Sequence, residues 1–186
     1  MVGFAFCGSF CTHKKSLDVL ASIVESGRDV QAIMSEAVWG TDTRFGTAAD
    51  LRGKVEAITS REIVHTVAGA EPFGPSVPLD ALIICPCTGN TLAKLAHGIT
   101  DSAVTMAAKA HLRCDRPLLI ALATNDAMSA NLGNIGTMLS RKNVFFVPMR
   151  QDSPRDKPHS LVADFSLVVP SMRAMNEGRQ LRPLFL

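Results

Sequence analysis

The sequence contains no tyrosine and a single tryptophan, and it has no run of basic residues. Lysine and arginine number 19 against 17 acidic residues, and the resulting net charge of +2 is too small for a surface that neutralises a phosphate backbone. So few aromatic rings also leave little on which unpaired bases could stack. These absences predict that nucleic acid is not a partner.

Long apolar runs are missing as well, since no stretch approaches the roughly 20 residues that a helix needs to cross a bilayer. The N-terminal stretch has its apolar residues before its lysines, the reverse of a secretory leader (MVGFAFCGSFCTHKK). The five cysteines are an odd number in apolar or small-residue surroundings, which favours reduced thiols over a disulfide framework. These features predict a cytoplasmic protein without membrane contact.

What is present is typical of a globular chain, with 47% hydrophobic and 19% charged residues. At 186 residues it is long enough to bury a core, and we expect a single domain over residues 1–186. Strand and helix patterns alternate along it. The predicted strands cover 2–7, 29–35, 63–67, 81–85, 117–123 and 143–148.

Helix patterns fall between these strands. The first has Leu17, Leu20, Ala21 and Val24 on one face and ends before Gly27. Two others cover 48–59 and 101–113, and between them a segment has Leu92, Leu95, Ala96 and Ile99 on one face. The last two are a segment through Leu132, Ile135 and Leu139 and a C-terminal stretch that ends near Gly178. We expect 36–48 to be a polar loop and the proline-rich 71–80 to be an extended surface segment. The alternation predicts an α/β fold: a single three-layer Rossmann-like (flavodoxin-like) domain with a parallel sheet.

In such sheets ligands bind beyond the carboxyl ends of the strands, and small polar residues follow four of the predicted strands. Gly8-Ser9 follows the first, Ser35 the second, CPCTGNT (85–91) the fourth and Thr124-Asn125-Asp126 the fifth. The first of these loops is neither GxGxxG nor a Walker A sequence, which argues against a dinucleotide or triphosphate site. It is either an anion-binding turn or a tight turn in which Ser9 or Thr12 caps the helix.

The cysteines of CPCTGNT raise the question of a metal site. Strand alternation predicts that Cys85 and Cys87 point the same way, and a metal would need two further ligands. No second Cys/His pair has suitable spacing, so we expect no metal. Cys7 and Cys85 are then small core residues, and the loop instead offers hydroxyl and amide groups at a helix N-terminus.

These motifs resemble a known family. CPCTGNTLAKLAHGITDSAV is similar to the PxxxNTxAKxAxGxxD signature of the flavoprotein superfamily, the homo-oligomeric flavin-containing decarboxylases and flavin prenyltransferases. GSFCTHKKSL resembles its first phosphate loop, and the TNDAM segment (124–128) resembles its later Asn-x-x-Met motif. Almost end to end, the chain is also similar to the family of dipicolinate synthase B subunits of spore-forming bacteria, through TDTRFG (41–46), AEPFGPSVPLD (70–80), MAAKAHLR (106–113) and KNVFFVP (142–148).

The resemblance implies one component of an oxidoreductase, which acts with a separate partner, the A subunit of dipicolinate synthase. Together they would convert a dihydro- or hydroxytetrahydro-dipicolinate from the lysine pathway to pyridine-2,6-dicarboxylate, in the cytoplasm of the mother cell during sporulation. NADP would bind to the partner, which accounts for the missing GxGxxG motif, and FMN is implied as a cofactor of this chain. The superfamily also implies a homo-oligomer.

The resemblance also implies site residues, matched position by position. The cofactor-binding set would be Gly8, Ser9, Ser35, Pro86, Thr88, Asn90, Thr91 and Met128. Asn125 would contact a substrate carboxylate. Arg44 is a second candidate for that contact, because its guanidinium can form a charged fork, although it could equally pair with Asp42 in solvent. His65 is a candidate acid or base, or simply a structural histidine.

Three functions from different classes remain open at this stage. The first is the catalytic B subunit of a two-component dipicolinate synthase. The second is an autonomous FMN-dependent decarboxylase or flavin prenyltransferase relative, although Ser129 stands where the decarboxylases carry a tryptophan. The third is a non-catalytic scaffold that supports the partner.

Overall fold

The computed structural model describes all 186 residues. The strands are β1 Val2–Phe6, β2 Val30–Met34, β3 Ala81–Cys87, β4 Leu118–Thr124, β5 Val144–Phe146, β6 Met149–Arg150 and β7 Leu161–Ala163. The helices are α1 His13–Glu25, α2 Glu36–Gly40, α3 Ala48–Thr59, α4 Val67–Ala70, α5 Gly89–His97, α6 Ala103–Leu112, α7 Leu132–Leu139 and α8 Val168–Asn176. Short 3-10 turns precede α1 and α8. No helix combines the length and the apolar composition of a membrane span.

The core of the sheet is parallel and runs β2-β1-β3-β4-β5. On the side of β2 that faces away from β1, Val64 forms a single parallel bridge with Ile33. Counted as a strand, this segment gives the spatial order 3-2-1-4-5-6 of a Rossmann fold. The predicted α/β fold with a parallel sheet is therefore confirmed, and its switch point lies between β1 and β3.

The side chains of β3 are buried on both faces of the sheet. Leu82 and Ile84 belong to one apolar cluster, which packs against α5, α6 and α7, whereas Ala81 and Ile83 belong to a second, which packs against α1, α3 and α8. Every residue of β1, β2 and β3 is buried, as expected for strands covered by helices on both sides. The result is the predicted three-layer arrangement.

The sheet has an antiparallel extension that the sequence did not predict. β7 pairs antiparallel with Ala123 and Thr124, the last two residues of β4, and β6 pairs antiparallel with β7. Met149 of β6 also bridges to Phe185 near the C-terminus. These strands are only two or three residues long, too short for an alternating pattern to be recognised.

Two predicted segments between α3 and β3 differ from the structure. The strand predicted over 63–67 is reduced to the Val64 bridge, because Thr66 caps α4 and the chain turns into a helix. The proline-rich 71–80 is a series of turns rather than an extended surface segment. Its Phe73 and Leu79 are buried in the core, so the apolar residues between the prolines determine its path.

The helices also depart from their predicted limits. The polar loop expected over 36–48 begins with α2, and α5 ends before Ile99, which is 48% exposed. Gly98 ends α5 with a positive φ of 71°, a conformation that glycine adopts without strain. In α1 the buried face carries Val19, Leu20 and Ile23, and the rest of the predicted stripe is only half-buried.

His111, at the end of α6, predicts a loss of stability in mild acid. Burial lowers the pKa of His111, whose Nε2 donates to the carbonyl of Pro117 over 2.8 Å. A lowered pKa in the folded state means that unfolding takes up a proton, so stability is complete above pH ~6.5 and falls as the pH falls. Each such proton contributes a slope of up to about 1.4 kcal/mol per pH unit.

Urea unfolding between pH 8 and pH 5.5 measures this slope. We expect it to be shallower in His111→Gln and unchanged in His97→Gln, which alters an exposed histidine of α5. Equal slopes in the parent and His111→Gln would contradict the assignment.

Candidate functional site

Backbone hydrogen bonds join the loops at the carboxyl edge of the sheet. The amide of Cys7, just after β1, donates to the carbonyl of Pro86 in β3 over 3.2 Å. The amide of Ser35, just after β2, donates to the carbonyl of Phe6 over 3.1 Å. These bonds hold the ends of three neighbouring strands together, so the predicted phosphate loops form one continuous surface.

The first loop keeps a free hydroxyl. The carbonyl of Ser9 accepts from both the amide and the hydroxyl of Thr12, at 3.0 and 2.8 Å. The side chain of Ser9 makes no hydrogen bond, and neither Ser9 nor Thr12 caps its helix through its side chain. The capping alternative for this loop is therefore wrong, and Ser9 Oγ is available to a ligand beside Gly8.

Ser35 is available in the same way. It precedes α2 without capping it through its hydroxyl, and only its backbone is used, as its carbonyl accepts from Trp39. Glu36 then reaches across and accepts from the amide of Ala103 over 3.2 Å, which ties α2 to the start of α6.

The central loop divides its polar groups between structure and surface. Thr88 caps α5 by accepting from the amide of Thr91 over 3.2 Å, and the buried Thr91 hydroxyl donates to the sulfur of Cys7 over 3.3 Å. Pro86, after a cis peptide bond, is buried. Asn90 is exposed, and its side chain makes no hydrogen bond. Of this loop, Asn90 is therefore the residue whose side chain is free, and Thr88 and Thr91 shape the turn.

The cysteines contribute packing to this edge. Cys85 and Cys87 lie on opposite faces of the sheet, not on the same face as predicted, because the register of β3 shifts between Ile84 and Cys87. Burial raises the pKa of Cys7 to about 11 and that of Cys85 to about 12, and it raises the pKa of Cys87 well above its usual value. These thiols stay protonated, and no group of three or more His, Cys, Asp and Glu side chains could hold a metal.

The loop after β4 packs directly onto the first residue of α5. A Cβ at Gly89 would lie 2.5 Å from Asn131 Nδ2, 2.6 Å from Thr124 Oγ1 and 2.7 Å from Asp126 Oδ1. Thr124 donates to Asp126 over 2.5 Å, and the 4% exposed Asn131 accepts from Asn134 over 2.9 Å. Asn131, seven residues after Thr124, was not among the predicted site residues.

Asn125 and Met128 occupy the outer side of this loop. Asn125 is exposed and its side chain makes no hydrogen bond, whereas Met128 is half-buried and its amide donates to the carbonyl of His159 over 2.9 Å. Asn125 thus presents a free amide at the end of β4.

Arg44 and His65 lie at the opposite side of the sheet. The guanidinium of Arg44 is 4.9 Å from the centre of the Phe45 ring. Asp42 does not pair with it, because its Oδ1 accepts from the amide of Ala48 at the start of α3 over 2.8 Å. The ring of His65 stacks on Trp39 with centres 3.6 Å apart and planes within 3°.

Within one chain the predicted catalytic residues do not meet. His65 follows the segment outside β2, and Asn125 follows β4, so four strand spacings of ~4.8 Å, about 19 Å in all, separate their strands. In contrast, Ser9, Ser35 and Thr88 follow adjacent strands. The structure therefore gathers the predicted cofactor residues and separates Asn125 from Arg44 and His65.

The tight contact at Gly89 predicts a destabilising effect of one methyl group. Gly89→Ala would push its Cβ into three polar atoms, and we expect a loss of about 1–3 kcal/mol in unfolding free energy. The matched control is Gly53→Ala in α3, where a Cβ meets nothing within 4 Å and should stabilise the helix by up to ~1 kcal/mol. Urea unfolding measures the free energy of both variants. An equal change in Gly89→Ala and Gly53→Ala would contradict the tight contact at Gly89.

Comparison with known proteins identifies the family of this chain. The Flavoprotein family model matches residues 1–168, and the chain belongs to this family. The crystal structure of the FMN-dependent cysteine decarboxylase SpaF covers 95% of each chain with a TM-score of 0.70 at 21% identity, which shows the shared fold alone.

Within that family the chain belongs with the dipicolinate synthase B subunits. It is 39% identical to the B subunit of dipicolinate synthase from Bacillus subtilis (strain 168) over 185 residues, covering 100% of this chain and 92% of that protein. The crystal structure of the B subunit of dipicolinate synthase from Bacillus halodurans is 40% identical, with a TM-score of 0.91 over 100% of this chain and 95% of that one.

Proposed function

We propose that this chain is the B subunit of a two-component dipicolinate synthase, an oxidoreductase that forms pyridine-2,6-dicarboxylate for the spore. The observation that carries the proposal is the similarity to B subunits over the full length of the chain, in sequence and in fold. Sporulation, the lysine-pathway substrate and the mother-cell cytoplasm are parts of the same proposal.

The reaction divides between two proteins, this chain and its partner, the A subunit. Aromatisation of a dihydro-dipicolinate removes a hydride and a proton, and a hydroxytetrahydro form must first lose water. Because this chain lacks GxGxxG, NADP on the partner would accept the hydride, while this chain binds the substrate and positions groups that take the proton. Asn125 and Arg44 are our candidates for carboxylate contact, and His65 for the proton.

The carboxyl edge fits FMN. The hydroxyls of Ser9 and Ser35 and the amide of Asn90 have no partners within the chain, and they follow adjacent strands beside Gly8 and the N-terminus of α5. Free donors at a helix N-terminus suit a phosphate monoester. When bound, FMN would supply two-electron redox chemistry. Pro86, Thr88 and Thr91 shape this cradle, and Met128 lies on the neighbouring loop.

A homo-oligomer completes the proposal. Since Asn125 is about four strands from His65 within one chain, the two can serve one substrate only across an interface between copies. SpaF and its relatives share the fold, which is compatible with such an arrangement.

Mixing the two proteins tests the function. Dipicolinate formation, followed by ultraviolet absorbance, is measured from freshly made hydroxytetrahydro-dipicolinate and NADP with this chain alone, the partner alone, and both. We expect product at a substantial rate only from the mixture. No gain over the partner alone would overturn the proposal.

Two variants separate catalyst from scaffold. Asn125→Ala and Arg44→Ala should each lower the rate of the mixture by about tenfold or more, since each removes a charge-assisted or amide contact to a carboxylate. Full activity in both, with unchanged binding to the partner, would favour the scaffold.

Flavin titration tests the cofactor. We expect the purified chain to quench FMN fluorescence with one-to-one stoichiometry, and the double variant Ser9→Ala/Ser35→Ala to bind FMN at least tenfold more weakly, because two phosphate donors are lost. Ser129→Ala, on the loop after β4, is the matched control and should bind as the parent does. Catalysis by the FMN-loaded chain without its partner would instead favour an autonomous flavin enzyme.

A further inference from the structure

A crevice lies between α1 and α3, and Phe10 and Cys11 of the loop after β1 also line it. Its volume is about 450 Å³, within the range of small-molecule sites, and the 41–47 loop forms its third wall. None of the proposed flavin residues lines it, and neither does Asn125.

The walls of this crevice carry unpaired cations. Lys14 projects from α1 and Lys54 from α3, and neither forms a salt bridge. Asp50 is the only carboxylate in the lining, so the two lysines leave a net charge of +1. Arg44 belongs to the same 41–47 loop, with its guanidinium over the ring of Phe45, but it does not line the crevice.

The positive charge of Lys14 is unusual at the start of α1. Its first turn contains no acidic residue, Thr12 gives no side-chain cap, and Lys14 lies at the positive end of the helix dipole. A cation at this position is unfavourable on its own. An anion in the crevice would offset the dipole and the lysine together.

His13 adds a hydrogen-bond acceptor. It is 8% exposed, and its Nε2 contacts the carbonyl of Cys7 over 2.8 Å. Since a carbonyl only accepts, Nε2 carries the hydrogen, and burial lowers the pKa of the ring, which is therefore neutral at pH 7. Nδ1 is left with a lone pair. His13 lines the crevice, and its Nδ1 has no hydrogen-bond partner within the chain.

We propose that this crevice binds a cyclic dicarboxylate, with the ammonium groups of Lys14 and Lys54 each meeting one carboxylate. A ring with carboxylates on either side of its nitrogen offers one carboxylate to each of these two cations. His13 Nδ1 would accept from the N–H or hydroxyl of a partly reduced ring, and Phe10 and Phe45 supply apolar faces. The choice of dicarboxylate rests on the proposed function. The crevice is a second site for this class of molecule, distinct from the carboxylate contacts proposed for Asn125 and Arg44.

Calorimetric titration of the isolated chain with pyridine-2,6-dicarboxylate tests the site. We expect Lys14→Gln and Lys54→Gln each to raise the Kd about tenfold or more, the loss of one charge-assisted contact. Pyridine-2-carboxylate, with one carboxylate, should bind the parent more weakly by a similar factor.

The matched control is Lys15→Gln. Lys15 is the next residue of α1 but lies on another face, beside Asp18 and Ser22, and its loss should change the Kd by less than about twofold. No binding to the parent, or equal losses in all three variants, would overturn the site. A loss in Asn125→Ala with none in the two crevice variants would overturn it as well.

The binding titration and the synthase assay can fail separately. If the mixed proteins form dipicolinate and the crevice variants bind the dicarboxylate as the parent does, this inference fails and the proposed function stands. If the mixture is inactive and binding still depends on Lys14 and Lys54, the site stands and the function fails.

Discussion

The close approach of α5 to the loop after β4 is the constraint on which the carboxyl edge depends. At Gly89 there is no room for a single methyl group, because three polar atoms of that loop occupy the place of a side chain. The contact fixes the N-terminus of α5 against β4, and the Thr88 cap and the bond from Thr91 to Cys7 then fix it against β1. The free donors of Ser9, Ser35 and Asn90 are positioned by groups that do not themselves face a ligand.

Most of the central fold could be predicted from the sequence, and the failures have physical reasons. Buried strands such as β3 are continuous apolar runs, and α3 was predicted with its observed limits. The strand expected at Val64 failed because a cap at Thr66 turned the chain into α4. The prediction that Cys85 and Cys87 lie on the same face of the sheet was wrong, because the alternation of residues does not reveal a shift in register.

The site was less predictable than the fold. Motifs identified the loops, but which of their hydroxyls are free depends on hydrogen bonds formed between distant segments, as with Thr91 and Cys7. The separation of Asn125 from His65 follows from strand order, which the sequence does not state. The crevice between α1 and α3 could not be predicted, because Lys14 and Lys54 are 40 residues apart and have the sequence surroundings of ordinary surface lysines.

The stack of Trp39 on His65 has an optical consequence. With no tyrosine in the chain and one tryptophan, emission excited near 280 nm comes from a single indole. That indole lies against an imidazole at 3.6 Å and beneath the guanidinium of Arg52, 4.6 Å from its ring centre. The emission of this indole therefore depends on contacts made in one small region, between the end of β2 and the start of α4. The protein therefore carries a built-in fluorescent reporter on the side of the sheet where Arg44 and His65 lie.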